Sequence, residues 1–215
     1  MSHIYGILAG AVTWLRDIKR TDQWSTDERG RKKRIRKGVR SGHTWIAWHG
    51  DTPVATITLD TEAPKIWTEQ EKTSRSAGSA LYVHRLMVKR DPAYQGQKIG
   101  AELLTWAGST AARRRRDYIR LDVWTFNEEL HRYYKSLGFT GLGNFEHLYP
   151  GYSASALFER PAKVAETPRL NVEKRRGPRA LRIWRPRLRS RPAFGLIEFV
   201  WPTASRVFSK GFRER

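Results

Sequence analysis

The chain has 215 residues, enough for one ordinary domain with a hydrophobic core and an extension, but not for two full domains. It has no cysteine, which excludes disulfides, thiolate metal sites and a cysteine nucleophile, and its six histidines lack ligand-like spacing, so no metal site is expected. The net charge of +20 implies attraction to polyanions or phosphate-bearing ligands.

The positive charge is distributed unevenly. Residues 1–162 carry 26 Lys and Arg against 17 Asp and Glu, a net charge of +9, whereas residues 163–215 carry 15 against 4, a net charge of +11. The start of the sequence lacks a basic leader, and no apolar run is long enough to span a bilayer. We therefore expect one domain over 1–162, a separate basic tail over 163–215, and a cytoplasmic location.

The first part of the chain is predicted to be helical. Apolar residues from Ile7 to Trp24 recur near helical spacing and predict one amphipathic helix. A second, polar helix is predicted from Asp27 to Val39. Its basic run, Arg29 to Lys37, is typical of either a nucleic-acid patch or a solvated helix face, and the solvated face is the simpler interpretation.

A β-hairpin and a third strand follow. Two β-rich runs, 43–48 and 53–59, flank a Gly-Asp turn signal and predict an antiparallel hairpin. The polar stretch from Thr61 to Ser79 is predicted to be a loop near a substrate entrance. Residues 80–88 are predicted to form the third strand.

The next segment alternates helices and strands. A loop over 91–97 leads into a helix that starts near Lys98, and residues 118–124 alternate as a strand. Asn127 is a suitable N-cap for a helix from Glu128 to Leu137, which stops at a glycine. A hairpin, 139–142 with 153–159, is predicted to close the domain.

Beyond Pro161 the hydrophobic pattern is lost. Proline recurs too often for a stable helix or central strand, so the tail is predicted to be disordered or loosely docked. Its apolar segment, 194–201, is long enough to dock on the domain but too short to span a bilayer.

A strand that enters a glycine-bearing turn and then a helix is suited to binding phosphate. Gly96 and Gly100 allow close approach of a ligand, and the helix N-terminus supplies unpaired N–H groups and partial positive charge. A tight connection between strand and helix explains the same two glycines, so this signal is weak by itself.

A second segment about thirty residues downstream makes the signal specific. It contains Asn127, Tyr134, Gly138 and Phe139 in the register N-x-x-A-x-x-L-Y-x-x-x-G-F. Together with Gln95 to Ala101, it resembles the GNAT superfamily of N-acetyltransferases. The resemblance implies an α/β (α+β) fold with a mixed, mostly antiparallel sheet flanked by helices, and acetyl-CoA as co-substrate.

The resemblance also implies roles for individual positions. The backbone at the end of the third strand would hold the pantetheine arm and thioester, the loop would wrap the pyrophosphate, and Asn127 would face the cofactor. The cofactor-binding candidates are therefore Leu86, Met87, Val88, Gln95, Gly96, Gln97, Lys98, Ile99, Gly100, Ala101 and Asn127. Lys98 departs from the family pattern, which has glycine there; its stem must point away from the pyrophosphate, and its ammonium could lie near the phosphates.

Catalytic candidates follow from the same resemblance. Tyr134 would stand beside the sulfur as general acid, because the departing thiolate benefits from a nearby proton, and a backbone N–H, that of Val88, would steady the oxyanion. By strand alternation Tyr82, His84, Leu86 and Val88 share one face, which makes His84 the first candidate for the base. Asp122 is the second candidate, and deprotonation through water needs neither.

The sequence thus predicts an acetyl-CoA-dependent N-acetyltransferase acting on a primary amine of a small molecule or a protein. An alternative is a polyanion-binding protein, with the basic tail contacting nucleic acid and the acetyltransferase-like domain inactive or secondary. A third interpretation is that the tail is a translated extension without function.

Overall fold

The structure, a computed structural model, describes residues 2–19, 28–68, 78–145, 154–165, 170–173 and 179–183. The named helices and strands of these ranges follow one another in the order α1 (Ser2–Asp17), α2 (Glu28–Arg40), β1 (Thr44–His49), β2 (Thr52–Asp60), β3 (Ala80–Val88), α3 (Ile99–Arg113), β4 (Tyr118–Trp124), α4 (Glu128–Ser136), β5 (Thr140–Phe145), β6 (Ser155–Pro161), β7 (Leu170–Glu173) and β8 (Arg179–Ile183).

The strands form one mixed sheet in the order β5-β6-β4-β3-β2-β1-β8-β7. The pairs β3 with β4 and β1 with β8 are parallel, and the other neighbours are antiparallel. This architecture confirms the predicted fold class. It also confirms the hairpin of β1 and β2 and the strand-helix-strand-helix unit from β3 to α4.

The two faces of the sheet are covered by different helices. The side chains of Leu81, Val83, Leu121 and Val123 pack with those of α3 and α4 in the main hydrophobic cluster. The opposite face packs against α1 and α2 through a smaller cluster that includes Ile35 and Met87. Alternation along each strand therefore separates an apolar face from a face with more polar groups.

The N-terminal helix differs from its predicted bounds. It begins at Ser2 and ends at Asp17, rather than running from Ile7 to Trp24. Ile4, Ile7, Leu8, Ala11 and Leu15 are its buried residues, whereas Ile18, which continues the apolar spacing, is 65% exposed just past the helix end. None of the helices in the described ranges has the length and apolar character needed to cross a membrane.

The segment predicted as a polar loop, Thr61 to Ser79, contains an anchored helical turn over 65–68. Trp67 in this turn is buried, and the guanidinium of Arg120 lies 5.2 Å from its ring centroid. Arg120 is itself fully buried and donates to Glu159 Oε2 at 3.1 Å. A single buried tryptophan thus ties the start of this segment to the sheet.

Arg160 links the two helices that cover the apolar face. One of its Nη atoms donates to the carbonyl of Leu104 in α3 at 2.9 Å, and the other to that of Leu137, just after α4, at 2.8 Å. The guanidinium also lies 4.7 Å from the ring centroid of Phe139. These contacts fix the spacing of α3 and α4.

The tail, predicted to be disordered or loosely docked, contributes two strands, β7 and β8, to the sheet. These strands extend the sheet beyond β1, with β8 parallel to β1. Both strands are free of proline; Pro168, Pro178 and Pro186 flank them. Proline therefore bounds the strands without removing a ladder hydrogen bond within them. The apolar segment 194–201 lies outside the described residues.

Candidate active site

The central feature of the site is an opening between two parallel strands. β3 and β4 pair at Ala80 with Tyr118, Leu81 with Ile119 and Tyr82 with Arg120. Beyond Tyr82 and Arg120 the pairing register ends, yet β3 continues to Val88 and β4 to Trp124. The C-terminal ends of the two strands are therefore free of each other, and backbone groups between them face a gap.

A bulge in β3 changes which side chains face this gap. The pairing of β2 with β3 shifts between Thr56 and Thr58, and Arg85 takes a positive φ of 50°. Leu81 and Val83 belong to the cluster under α3, and after the bulge Leu86 and Val88 pack against that same cluster. The prediction that Tyr82, His84, Leu86 and Val88 share one face is therefore wrong, because the extra residue reverses the alternation.

The same bulge determines where His84 and Arg85 lie. Tyr82 packs with Trp67 on the face opposite α3, and alternation places His84 on that face too. Arg85 Nη2 lies 3.5 Å from the Cβ position of Gly38 in α2, so its side chain extends along the same face. Two consecutive residues thus share one face, which a regular strand does not allow.

The amide of Val88 points toward the opening. The N–H of Lys89 donates to the carbonyl of Val54 in β2 at 2.7 Å. Because successive N–H groups of a strand point to opposite edges, the N–H of Val88 points away from β2, to the side where β4 has separated. Met87, by contrast, is 3% exposed in the cluster under α1 and α2, so only its backbone is near the gap.

The loop after β3 bends sharply before α3. Gln95 is exposed at the end of a 3₁₀ turn, Pro92–Tyr94, and Gly96 has a φ of +66° with no heavy atom within 4 Å of its Cβ position. Position 96 therefore favours glycine because of its left-handed backbone conformation, although a Cβ atom would meet no neighbouring atom there. Gln97 follows, its N–H donating to the carbonyl of Tyr94 at 3.4 Å.

Lys98 is the N-cap of α3 and adopts a left-handed conformation, with φ 54° and ψ 24°. This backbone conformation favours glycine, the residue that the family pattern has at this position. The side chain is exposed and makes no capping hydrogen bond to the helix. The lysine thus keeps the glycine-like backbone and adds an ammonium at the positive end of α3.

The first turn of α3 contacts α4 through a tyrosine hydroxyl. Ile99 is buried, Ala101 half-buried, and a Cβ at Gly100 would lie 3.1 Å from Tyr133 Oη and 3.9 Å from Val88 Cγ2. A side chain at position 100 would therefore press on the Tyr133 hydroxyl, which would have to move by a few tenths of an ångström. Burial raises the pKa of Tyr133 to about 12, so the phenol is neutral at working pH.

Asn127 begins α4, as predicted. Its Oδ1 accepts from the N–H of Leu130 at 3.1 Å, which is the hydrogen bond of an N-cap. The residue is 1% exposed, and its Nδ2 has no hydrogen-bond partner among the described residues. A buried amide donor that lacks a partner beside the opening fits a carbonyl of a ligand such as the pantetheine arm.

Tyr134 lies on the α4 side of the opening. It is 7% exposed, and its ring packs against those of Tyr133, Phe139 and Phe158 with centroids 5.5 to 5.9 Å apart. Burial raises the pKa of the Tyr134 phenol, and the charges of Tyr133 and Asp122 raise it further. The phenol is consequently protonated throughout the working pH range.

His84 and Asp122 lie on the other face, near the same opening. Each is two residues beyond the last pair of β3 with β4, and Asp122 alternates with Leu121 and Val123, which face α3 and α4. Burial lowers the pKa of His84; the carboxylate of Asp122 raises it, Arg85 lowers it, and Asp60 raises it. His84 is therefore neutral near pH 7 and able to accept a proton.

The structure thus brings most of the predicted residues to one opening, with Tyr134 on one face and His84 on the other. Two nearby residues were missed by the sequence reasoning. Tyr133 occupies the Leu position of the downstream motif, so a polar residue at an apolar position was the available signal. Arg85 gave no signal, because the bulge that directs it depends on strand pairing.

A comparison of the sequence with known families gives a match over much of the chain. The acetyltransferase (GNAT) family matches residues 9–139, which is more than half of the chain. The chain is also 29% identical over 141 residues to the uncharacterized N-acetyltransferase YesJ of Bacillus subtilis (strain 168), an alignment that covers 65% of this chain and 76% of that protein.

Solved structures show the same fold. A GNAT acetyltransferase from Listeria monocytogenes 4b F2365 superposes with a TM-score of 0.53 at 21% identity, covering 72% of this chain and 84% of that one. One from Staphylococcus aureus MU50 gives 0.51 at 15% identity, covering 75% and 94%. Other matched chains are covered less fully, and the alignments span 64% and 62% of two of them. The chain belongs to the acetyltransferase (GNAT) family.

Proposed function

We propose that the protein transfers an acetyl group from acetyl-CoA to a primary amine of a small molecule or a protein by direct attack. The observation that carries this proposal is the opening between β3 and β4, with a neutral imidazole, His84, on one face and a protonated phenol, Tyr134, on the other. Direct attack needs a proton acceptor on the amine side of the carbonyl and a proton donor on the sulfur side.

Acetyl-CoA, when bound, supplies a thioester carbonyl: the amine nitrogen forms the new C–N bond, the C–S bond breaks, and the CoA thiol leaves. The loop from Gln95 to Ala101 would hold the pyrophosphate at the N-terminus of α3, where the first N–H groups of the helix are unpaired. The backbone from Leu86 to Val88 and the Nδ2 of Asn127 would hold the pantetheine arm.

Tyr134 would act as general acid toward the leaving sulfur. A raised pKa keeps its proton in place until negative charge develops on the sulfur. Val88 would donate its N–H to the carbonyl oxygen as that oxygen becomes negative, since this amide points away from β2.

His84 would accept the proton that the amine loses. Its lowered pKa makes it neutral at the pH where it would have to act, and Asp122, nearby on β4, would attract the cationic form of the amine and stabilise the imidazolium. Asp122 would otherwise take the proton directly, and a relay through water would use either group.

Release of free thiol from acetyl-CoA in the presence of a panel of primary amines tests the proposal. We expect thiol release that depends on the amine, and a loss of kcat of about 100-fold or more in Tyr134→Phe, because one proton donor is removed at the chemical step. The neighbouring variant Tyr133→Phe is the matched comparison. It removes a hydroxyl beside Gly100 in the first turn of α3 and should raise the KM for acetyl-CoA with a smaller effect on kcat.

Two results would contradict the proposal. The first is an absence of thiol release with every amine together with an absence of CoA binding. The second is equal losses of kcat in Tyr133→Phe and Tyr134→Phe, because the two hydroxyls would then act at the same step.

The alternative of polyanion binding stays a prediction, as does the cytoplasmic location. Most of the basic tail lies outside the described residues. Among the described residues, α2 presents a second basic surface, with eight Lys and Arg in thirteen residues, six of them exposed. This surface is compatible with nucleic acid or with a solvated helix face, and it leaves the proposed chemistry unchanged.

A further inference from the structure

A cluster of arginine side chains lies between α2 and β3, next to the proposed base. Arg85 Nη2 is 3.5 Å from the Cβ position of Gly38, and that same position is 2.7 Å from Thr44 Oγ1. A side chain larger than a hydrogen at position 38 would displace these groups. Gly38 therefore lets α2 approach the sheet closely enough to enclose the guanidinium of Arg85.

Arg85 is held in an unfavourable conformation. Its φ of 50° lies in the left-handed region, which is uncommon and unfavourable for a residue other than glycine. The consequence is that Arg85 and His84 lie on one face of the sheet, where regular alternation would separate them. Strain of this kind is concentrated at functional sites, where it positions side chains.

Two of the arginine side chains have a buried Nε donor without an acceptor among the described residues. Arg85 Nε is buried and has no hydrogen-bond partner among the described residues, and the same is true of Arg31 Nε in α2. Buried N–H donors are ordinarily paired. The Nε donors of Arg31 and Arg85 can therefore each accommodate an acceptor supplied by a ligand.

Charged groups of both signs act on Arg85. Burial lowers the pKa of Arg85, the positive charge of Arg34 in α2 lowers it further, and Asp60 raises it. Arg31, Arg34 and Gly38 are spaced i, i+3 and i+7, so they lie along one stripe of α2. The positive charge of Arg34, which lies on an exposed side chain of α2, therefore acts on the guanidinium of Arg85.

A hydroxyl-rich surface lies beneath the guanidinium groups. Thr44 Oγ1 and Thr58 Oγ1 are 2.9 Å apart in a buried hydrogen bond, and Thr56 Oγ1 is buried without a partner among the described residues. Hydroxyl and guanidinium groups are the donors that commonly bind a carboxylate or a phosphate, because these anions accept several hydrogen bonds at once.

We infer that the acetyl acceptor is an anionic amine, whose carboxylate or phosphate is bound by Arg85 with Arg34 while its amino group lies at His84. This inference rests on the proposed function and names its class of substrate. His84 and Arg85 are consecutive, with Cα atoms about 3.8 Å apart, so a single small molecule can reach both side chains. Binding of the anion supplies the missing hydrogen-bond acceptor and opposes the repulsion between the two guanidinium groups.

Matched acceptors test this inference. Acetyl transfer to 3-aminopropanoate, 4-aminobutanoate and 2-aminoethyl phosphate is compared with transfer to n-propylamine and n-butylamine. The expected kcat/KM is about 10- to 100-fold higher for at least one of the anionic acceptors, as charge-assisted hydrogen bonds predict. The carboxylate and phosphate arms identify which anion the site accepts.

Variants of two basic residues then locate the effect. Arg85→Met should remove the preference for the anionic acceptor, measured within the variant as the ratio of its kcat/KM to that for n-propylamine, because the charge of Arg85 also lowers the pKa of His84 and so affects transfer to every amine. Lys37→Met removes a basic side chain at an exposed position of α2 and should keep the preference. If Arg85→Met fails to fold, as judged by circular dichroism, Arg34→Met takes its place with the same expectation.

The outcomes separate this inference from the function on which it rests. Transfer to amines without any preference for an anionic group, or a preference that persists in both Arg85→Met and Arg34→Met, overturns the inference alone. An absence of transfer to every acceptor overturns the proposed function and the inference together. A preference lost in the arginine variants and kept in Lys37→Met supports both.

Discussion

The two faces of the sheet differ in the kind of side chain that they bury. The face toward α3 and α4 is an apolar cluster around Leu103, Leu104 and Tyr134, with polar chemistry confined to helix ends and a phenol. The face toward α1, α2 and the turn at 65–68 buries charge, including Arg120, and holds His84 and Arg85. The opening between β3 and β4 is where the two faces meet.

This difference suits a fold in which cofactor binding and acceptor binding depend on separate groups of residues. On the proposed cofactor side, backbone groups and the glycines Gly96 and Gly100 would make most of the contacts. Local backbone geometry determines the positions of these groups. The acceptor side depends on buried charged side chains whose placement needs strand pairing and helix packing. Substitutions on that side should therefore alter stability and substrate choice more than cofactor binding.

The largest expected effect is on stability, from breaking the buried ion pair on the acceptor side. Glu159→Gln removes the carboxylate that accepts from Arg120 Nε at 3.1 Å and leaves that guanidinium buried. We expect the free energy of unfolding to fall by about 3 to 5 kcal/mol, measured by urea denaturation. Glu28→Gln, which breaks an exposed ion pair with Lys32 in α2, is the control and should leave stability unchanged. Equal effects of the two substitutions would contradict the claim that burial makes the ion pair of Arg120 with Glu159 important for stability.

An intermediate effect is expected on the pH dependence of activity. Protonation of His84 abolishes its capacity as a base, and burial lowers its pKa, so the break in log kcat/KM that this group causes should lie below about pH 6.5. In His84→Gln we expect a loss of about 10- to 100-fold at pH 7 and no acid break assignable to this group. A limb set by the amine's own ionisation should persist at higher pH. An unchanged acid break in His84→Gln would assign the base to Asp122 or to water.

The smallest expected effect is on the cofactor side, at Lys98. Lys98→Gly relieves the left-handed strain, whereas Lys98→Ala keeps it, so the glycine variant should be more stable than the alanine variant by about 1 kcal/mol. Both variants lose the ammonium and should bind acetyl-CoA a few-fold more weakly than the parent protein, measured by calorimetry. Two variants of equal stability would mean that position 98 leaves the left-handed region when substituted.

The sequence was informative where function depends on local geometry. Asn127 as an N-cap, the glycine turn before α3 and the strands of the central unit all follow from short-range patterns. Lys98 was recognised as irregular because it replaces a glycine, and its left-handed φ gives the physical reason for the family's preference.

The features that the sequence did not predict depend on contacts between distant segments. The bulge at Arg85 arises from the pairing of β3 with β2, and alternation within one strand could not reveal it. Trp67 looked like part of a polar loop, because its partner Arg120 is more than fifty residues away. The strand β8 pairs with β1, and β7 pairs with β8, in a region where flanking prolines suggested disorder or loose docking.

A crystal structure with acetyl-CoA bound tests the central claim most directly. The account predicts that the thioester lies in the opening between β3 and β4, with the sulfur within about 3.5 Å of Tyr134 Oη and the carbonyl oxygen within hydrogen-bond distance of the N–H of Val88. His84 should lie on the opposite side of the carbonyl from the sulfur. A cofactor bound outside this opening, or a sulfur far from Tyr134 with His84 on the same side, would contradict it.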